Sequence, residues 1–449
     1  MQRGSAQLKV VVIGVGYLGA THAACMAELG FEVLGVDVDA EKVASLNQGC
    51  LPFYEPGLDQ LLLAHIEGRE GSTGRLRFTS SYEEAGKFGD LYFLCVNTPQ
   101  SLGKFNADLR YLDAAVESLI VHLDRPCLVV GKSTVPVGTA DRLAERIAAL
   151  APVGADVELA WNPEFLRESF AVQDTLHPDR LVVGIRSERA ERLLREVYAT
   201  PISEGVPFLV TDFSTAELVK TAANSFLATK ISFINAMAEV CESVGADVVR
   251  LSEALSFDDR IGGKFLHAGL GFGGGCLPKD IRAFMARAEE LGVDQALTFL
   301  REVDSINTRR RHRMVEMARE QCGGDLQGRR VAVLGASFKP NSDDIRDSPA
   351  LDVAGQLQRQ GAEVTLYDPK AMDNARKTLP ALNYAPSALE AAEGAHLVLH
   401  LTEWAEFREL DPAEVGAVVT ERNLLDGRNV LDAIGWRAAG WTYRSMGRP

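Results

Sequence analysis

The stretch nearest the start limits what this chain can fold into more than any other. Leu8–Ile13 is a β-branched apolar run that leads straight into Gly14-Val15-Gly16-Tyr17-Leu18-Gly19 and a helical stretch to Leu29. Gly30 ends that stretch, and Glu32–Asp37 is a second apolar run. A strand, a glycine turn, a helix and a second strand within about 30 residues make a βαβ unit, with parallel strands and helices packed on the sheet. Gly14 permits the tight turn, Gly16 lets backbone approach a pyrophosphate, and Gly19 lets helix and strand pack closely. The helix N-terminus offers unpaired N–H groups to phosphate, so Val15, Tyr17 and Leu18 are counted with the glycines as cofactor-binding. Asp37 ends the second run, where a carboxylate accepts both ribose hydroxyls and repels a 2′-phosphate. The expected cofactor is therefore NAD.

The same rhythm continues. Asp90–Val96, Cys127–Lys132 and Leu181–Ile185 are short apolar runs of the kind buried on both faces of a parallel sheet. From Ser214 the character changes. Ser214-Thr215-Ala216-Glu217 reads as a capping box opening a helix that runs to Gly245. Further helices are expected at Val248–Leu255, Ile281–Leu291 and Gln295–Gln321, with Gly323–Gly328 as a hinge. Beyond it the opening pattern recurs: Arg330–Gly335 echoes Val10–Gly14, Glu363–Asp368 echoes Glu32–Asp37, and His396–Leu401 echoes Leu91–Val96. The expected fold is α/β, with two Rossmann-like doubly wound domains (1–205 and 323–449) joined by a helical middle domain (206–322) with a long connecting helix.

A chain of 449 residues, 46% hydrophobic and 24% charged, can bury such domains without staples. Its net charge of −15 argues against nucleic acid as a partner and means that any anionic ligand must be held by local cations and backbone N–H groups. The seven cysteines are scattered, odd in number and without metal-ligand spacing, which implies reduced thiols and no metal site. Met1–Gln7 lacks a secretory apolar segment, and no apolar run reaches the roughly 18 residues of a membrane span. A soluble cytoplasmic protein with no membrane partner is expected.

Gly269-Leu270-Gly271-Phe272-Gly273-Gly274-Gly275-Cys276-Leu277-Pro278-Lys279-Asp280 carries the most chemistry. Its glycines allow the backbone to wrap a ligand in conformations other residues resist. Pro278 favours the first turn of a helix. Cys276 would then precede a helix N-terminus with Lys279 nearby, and both favour a nucleophilic thiolate. A single hydride transfer from an alcohol needs no sulfur. Oxidation onward to an acid does, because the aldehyde must be held while the cofactor is exchanged. Lys220 and Asn224 lie four apart, so on a helix they share a face and can stabilise one oxyanion. Glu164 follows Asn162-Pro163, a turn-type entry that can present its carboxylate from a loop. The proton acceptor could be Glu164, Asp280 or a threonine-bound water. Lys339 and Arg428 fall at turns suited to pyrophosphate.

These residues resemble the nucleotide-sugar 6-dehydrogenase family, that is, the UDP-glucose/GDP-mannose dehydrogenases. The resemblance covers nearly the whole chain. It includes Gly14–Gly19 with Asp37, Tyr54-Glu55-Pro56-Gly57, Val96-Asn97-Thr98-Pro99, Ser133-Thr134-Val135-Pro136 and Asn162-Pro163-Glu164-Phe165-Leu166-Arg167-Glu168. It continues through Lys220 with Asn224, Arg260-Ile261-Gly262, the cysteine loop, Phe338-Lys339-Pro340 with Arg346, and Asp426-Gly427-Arg428. It implies NAD-dependent, four-electron oxidation of a nucleotide sugar, UDP-glucose to UDP-glucuronate, through a cysteine thiohemiacetal and thioester. It also implies Cys276 as nucleophile, with Lys220, Asn224 and Asp280 around the reacting carbon and Thr134 and Glu164 handling protons. Lys42, Thr98, Thr134, Glu168, Lys279 and Arg346 are implied at the NAD site. The nucleotide sugar would be held by Glu164, Phe165, Leu166, Arg167, Glu168, Lys220, Asn224 and Arg260. Phe265, Leu266, His267, Ala268, Gly269, Gly273, Phe338, Lys339 and Arg428 would complete that set. A homodimer on the middle helices is implied too, with Arg260 reaching in from the partner.

Gly275 and Leu277 depart from the serine and aromatic residue the family often carries around its cysteine, and a leucine there also occurs in GDP-mannose dehydrogenases. GDP-mannose is therefore the alternative substrate. Two further alternatives are a single-step 6-phosphogluconate-type dehydrogenase, which would have no use for Cys276, and a non-catalytic nucleotide-sugar sensor.

Overall fold

The computed structural model describes residues 8–67 and 74–449, so Met1–Gln7, read above for a missing signal segment, lies outside the described residues. The chain divides into two compact units, 1–223 and 224–449.

Unit 1 is built on an eight-stranded sheet: β1 Lys9–Ile13, β2 Glu32–Val36, β3 Leu76–Thr79, β4 Leu91–Leu94, β5 Cys127–Gly131, β6 Val157–Trp161, β7 Leu181–Gly184 and β8 Phe208–Thr211. The order is β3-β2-β1-β4-β5-β6-β7-β8. The first six strands are parallel, in the 3-2-1-4-5-6 order of dinucleotide-binding folds. β7 joins β6 antiparallel at Trp161 and Gly184 and carries β8 parallel. Alternation along a strand explains why helices cover both faces. Val10 and Val12 pack with Ala20, Ala23, Ala24 and Ala27 of the helix Tyr17–Glu28, whereas Val11 and Ile13 pack with Leu112, Leu119 and Ile120. Small alanines bring the first helix close to the sheet, so the glycine turn is held rigidly at the ends of β1 and β4.

Unit 2 begins within the long helix Phe213–Val244 and continues with the helices Val248–Ser256, Leu277–Glu290 and Thr298–Gln321. A six-stranded parallel sheet follows: β9 Arg330–Leu334, β10 Glu363–Tyr367, β11 Asn383–Tyr384, β12 Leu397–His400, β13 Asn423–Asp426 and β14 Thr442–Ser445. Its order, β11-β10-β9-β12-β13-β14, repeats that of the first six strands. The expected fold class, two Rossmann-like halves with helices between, is the one observed.

Three local expectations differ. The helix expected at Gln295 begins as a 3-10 turn, Asp294–Leu297, and becomes α-helical at Thr298. The helix expected at Ile281 starts at Leu277, because Pro278 is pre-set for its first turn. The capping box at Ser214 does not form. Asp212 takes that place, its Oδ1 accepting from Thr215 N at 2.8 Å, and the helix starts at Phe213. Glu217 instead accepts from Gly138 N (2.8 Å) and Ala140 N (2.7 Å), orphan donors at the start of the helix Thr139–Leu150. Among the described residues no helix is long and apolar enough to cross a membrane.

Candidate active site

Gly14 sits at φ +83°, a left-handed turn other residues resist, and a Cβ at Gly19 would lie 1.8 Å from Gly14 O. At Gly16 a Cβ would meet nothing nearer than the Asn97 amide at 3.7 Å, so the space above the turn is open to a ligand. Gly16 caps the helix Tyr17–Glu28 without a side-chain acceptor. Asp37 Oδ2 accepts from Val15 N and from Lys42 Nζ, both at 3.0 Å, and Oδ1 accepts from Asp39 N. This arrangement fits a dinucleotide: an open N–H turn for pyrophosphate and a carboxylate at the end of β2 for ribose. Thr98 Oγ1 donates to Thr134 O at 2.7 Å, joining the loops after β4 and β5 at the same edge.

In the second α/β half Asp368 follows β10 as Asp37 follows β2. Its Oδ2 accepts from Ala336 N, Ser337 N, Ser337 Oγ and Trp404 Nε1, and its Oδ1 from Lys370 N and Ala371 N.

Still within unit 1, Asn162 follows β6 and Pro163 turns the chain outward. Glu164 Oε2 accepts from Leu166 N at 2.8 Å, and Oε1 lies 3.1 Å from Lys220 Nζ. Phe165 lies under the Arg180 guanidinium, and Arg167 pairs with Asp174 through two bonds, at 2.8 and 2.7 Å. Behind this segment Lys132 is buried, donating to Asn162 Oδ1 (3.0 Å) and lying 3.4 Å from Tyr198 OH. Burial, with the Lys220 cation adding to it, holds its ammonium down to about 8. The sequence reading missed Lys132. The one available signal was a lysine closing an otherwise apolar strand.

In unit 2 Cys276 is exposed and occupies the N-cap of the helix Leu277–Glu290. Asp280, only 2% exposed, accepts from Asn224 Nδ2 and from Lys279 Nζ, each at 2.6 Å. The structure thus pairs Lys279 with Asp280 and turns Asn224 toward the same carboxylate. The loop before the cysteine hangs on buried side chains. Asn235 Oδ1 accepts from Gly269 N (2.9 Å), and Asn307 clasps Phe272 by both its N–H (2.8 Å) and its carbonyl (2.9 Å). Leu270 N donates to Gly427 O and Gly274 N to Arg346 O, each at 2.8 Å. A Cβ at Gly273 would come within 2.4 Å of Asp347 O, and one at Gly274 within 2.8 Å of the Phe338 ring. Asn235 and Asn307 were not read as site residues, because single polar residues within helical patterns look like solvated positions.

Arg428 Nε donates to Leu401 O (2.7 Å) and its Nη1 to Gly271 O (2.9 Å), so this arginine braces the cysteine loop. Buried Asp426 sets its turn by accepting from Arg428 N, Asn429 N, Val430 N and Leu431 N. Despite burial, the bond to His400 and these N–H groups hold the Asp426 carboxyl down to about 2. Arg346 pairs with Asp344, and Lys339 lies over the Phe338 ring. Phe265 adopts φ +65°, Leu266 and Ala268 are buried, and His267 is exposed. Arg260 is exposed and pairs with Asp258 at 2.6 Å.

Three family models match the chain in succession. They describe the NAD binding domain (residues 8–202), the central domain (214–309) and the UDP binding domain (332–433) of the UDP-glucose/GDP-mannose dehydrogenase family. The chain is 41% identical to UDP-glucose 6-dehydrogenase of Rhizobium meliloti, over 98% of this chain and 100% of that protein. It is 39% identical to UDP-glucose 6-dehydrogenase TuaD of Bacillus subtilis, over 98% and 93%. Among solved structures it is similar to a UDP-glucose dehydrogenase from Pyrobaculum islandicum, with a TM-score of 0.90, 39% identity and full coverage of both chains.

Proposed function

The chain belongs to the UDP-glucose/GDP-mannose dehydrogenase family, and from that premise we propose that it oxidises UDP-glucose at C6 to UDP-glucuronate in two NAD-dependent steps. The observation that carries this reading is Cys276 at a helix N-cap, one turn from a buried carboxylate held by Asn224 and Lys279. A helix N-terminus favours the thiolate that a simple alcohol dehydrogenase does not need.

Bound NAD supplies the hydride acceptor at each step; Gly14–Gly19, Asp37, Lys42, Thr98, Glu168, Lys279 and Arg346 would hold it. The chain's own residues move protons and hold the carbon. The Lys220–Glu164 pair takes the hydroxyl proton, directly or through a water on Thr134, and Lys220 and Asn224 stabilise the charge gathering on that oxygen. Cys276 Sγ adds to the aldehyde carbon, and the carbonyl oxygen gains a proton, giving a thiohemiacetal. Loss of a second hydride and of the hydroxyl proton leaves a thioester. Water then adds at the thioester carbon, a carboxylate (Glu164 or Asp280) takes its proton, and the C–S bond breaks to restore the thiol. The nucleotide sugar would lie against Glu164–Glu168, Phe265–Gly269, Gly273, Phe338, Lys339 and Arg428.

On this reading residues 1–205 serve NAD, 206–322 dimerisation and 323–449 the UDP-sugar. A homodimer is supported by Phe226, Phe233 and Val240 on the long helix, which are 66%, 47% and 53% exposed. Seven-residue spacing keeps them on one face. Arg260 would reach the partner's substrate from that interface. The work is assigned to the cytoplasm, in keeping with seven cysteines that form no disulfide.

Counting NADH against substrate consumed tests the reading, with UDP-glucose and GDP-mannose assayed side by side. Two NADH per UDP-glucose supports it. A ratio of one, or preference for GDP-mannose, overturns it.

A further inference from the structure

We infer that Glu55 is a positioning residue that fastens the Glu164–Glu168 segment to the dinucleotide turn, so that a dinucleotide on that turn orders the residues facing the sugar. This rests on the reading of Glu164–Glu168 given under Proposed function.

Glu55 is 3% exposed, and a carboxylate so buried must be satisfied by donors. Three converge on it from two distant parts of the chain. Tyr17, inside the glycine turn, donates its hydroxyl to Oε2. Ser169 N donates to Oε2 and Ala171 N to Oε1, each at 2.7 Å. Ser169 N also lies 3.2 Å from the Tyr17 hydroxyl, so tyrosine, carboxylate and backbone amide form a closed triangle. Burial first, and Glu55 next, push the tyrosine hydroxyl well above its ordinary value, so it remains a donor.

The far end of this link is strained. Ser169 adopts φ +70°, a left-handed conformation that a residue with a side chain keeps only where its surroundings enforce it. Its amide bond to Glu55 is one such constraint, and Glu168 is the next residue back. The near end is firm. Glu55 O accepts from Leu58 N at the start of the helix Leu58–Ile66, whose Leu58 and Leu62 are fully buried. The Tyr17 ring packs against Phe53 with centroids 5.0 Å apart. A shift of Tyr17 as phosphate settles on the turn therefore reaches Ser169 through one carboxylate.

The test uses the full chain as wild type, Glu55→Gln and Tyr17→Phe. Amide hydrogen exchange is followed across residues 164–171 with and without NADH, beside kcat and KM for UDP-glucose. Glutamine offers one acceptor oxygen where three donors converge, so Glu55→Gln should exchange about tenfold faster in this segment and lose about tenfold in kcat, with a smaller change in KM for NAD. NADH should slow exchange of the segment in wild type, and Tyr17→Phe should abolish that slowing while keeping both backbone bonds to Glu55. The inference is overturned if the segment exchanges alike in wild type and Glu55→Gln. It is equally overturned if NADH has no effect on wild type, or slows Tyr17→Phe as much. Should Glu55→Gln fail to fold, the tyrosine variant carries the test. Absence of UDP-glucose turnover in wild type would sink the functional reading alone, since exchange is read independently of activity.

Discussion

Lys220 Nζ lies 3.1 Å from Glu164 Oε1, and the two side chains are only 6% and 13% exposed. An ion pair this dry is a poor source of net stability, because desolvation offsets most of the attraction. On the proposed mechanism the carboxylate takes the proton of a substrate hydroxyl while the ammonium stabilises the charge left on its oxygen. Lys220→Ala should therefore lower kcat by about 10²–10³-fold with a far smaller rise in KM, as expected when an oxyanion stabiliser is removed. A change mainly in KM, read from steady-state kinetics, would show that Lys220 serves binding instead.

Cys276→Ser should keep NADH affinity within about threefold of wild type, since the turn that binds it is untouched, yet lose net production of acid by about 10³-fold or more. Mass spectrometry of the wild-type enzyme quenched during turnover should find the sugar attached at Cys276. Acid formation at the wild-type rate by the serine variant would remove the sulfur from the mechanism.

Glu217 supplies a pH signature of stability. Burial raises its carboxyl from 4.5 to about 7, against the pull of the Gly138 and Ala140 amides. Between those values the folded chain binds more protons than the unfolded one, so stability falls as pH rises through that window. Below about 4.5 both states are protonated and the contribution is fully present. Wild type should therefore lose on the order of 2 kcal/mol relative to Glu217→Gln between pH 4.5 and 7, measured by denaturant unfolding across pH. Parallel curves for the two proteins would disprove the assignment.

The stripe of Phe226, Phe233 and Val240 predicts an oligomer that a single charge can split. Phe233→Glu should halve the mass found by light scattering and reduce activity, because Arg260 would no longer reach a partner. An unchanged mass at micromolar concentration would move the interface elsewhere.

The sheets and the cysteine loop were legible because their signals are local. A strand buried on both faces must be a short apolar run, and a loop such as Gly269–Gly275 must be glycine-rich to pass Asp347 O and the Phe338 ring. What escaped is held together across long separations. Asn307 clasps Phe272 and Asn235 holds Gly269, in each case a lone polar residue with nothing nearby in the sequence to mark it; Glu55 stood in a motif, but its bonds to Ser169 and Ala171 could not be read from that motif. The cap at Ser214 failed for a related reason. Asp212 caps the helix two residues earlier by accepting from Thr215 N, and Glu217 finds its donors at the start of another helix. Local pattern could not foresee where Glu217 goes, because its partners are 77 and 79 residues away.

The six donors gathered by Asp368 matter for a chain that uses one architecture twice. Two similar cradles would invite each nucleotide into the wrong berth. In the first, the carboxylate beyond the second strand stands beside an open turn. In the second, the corresponding acid has become an internal rivet: six donors from the chain fill its two oxygens, where Asp37 takes three and keeps acceptor capacity to spare. Duplicated topology is thereby kept from becoming duplicated appetite, and a ligand of that later half must be gripped by groups other than the acid that follows β10.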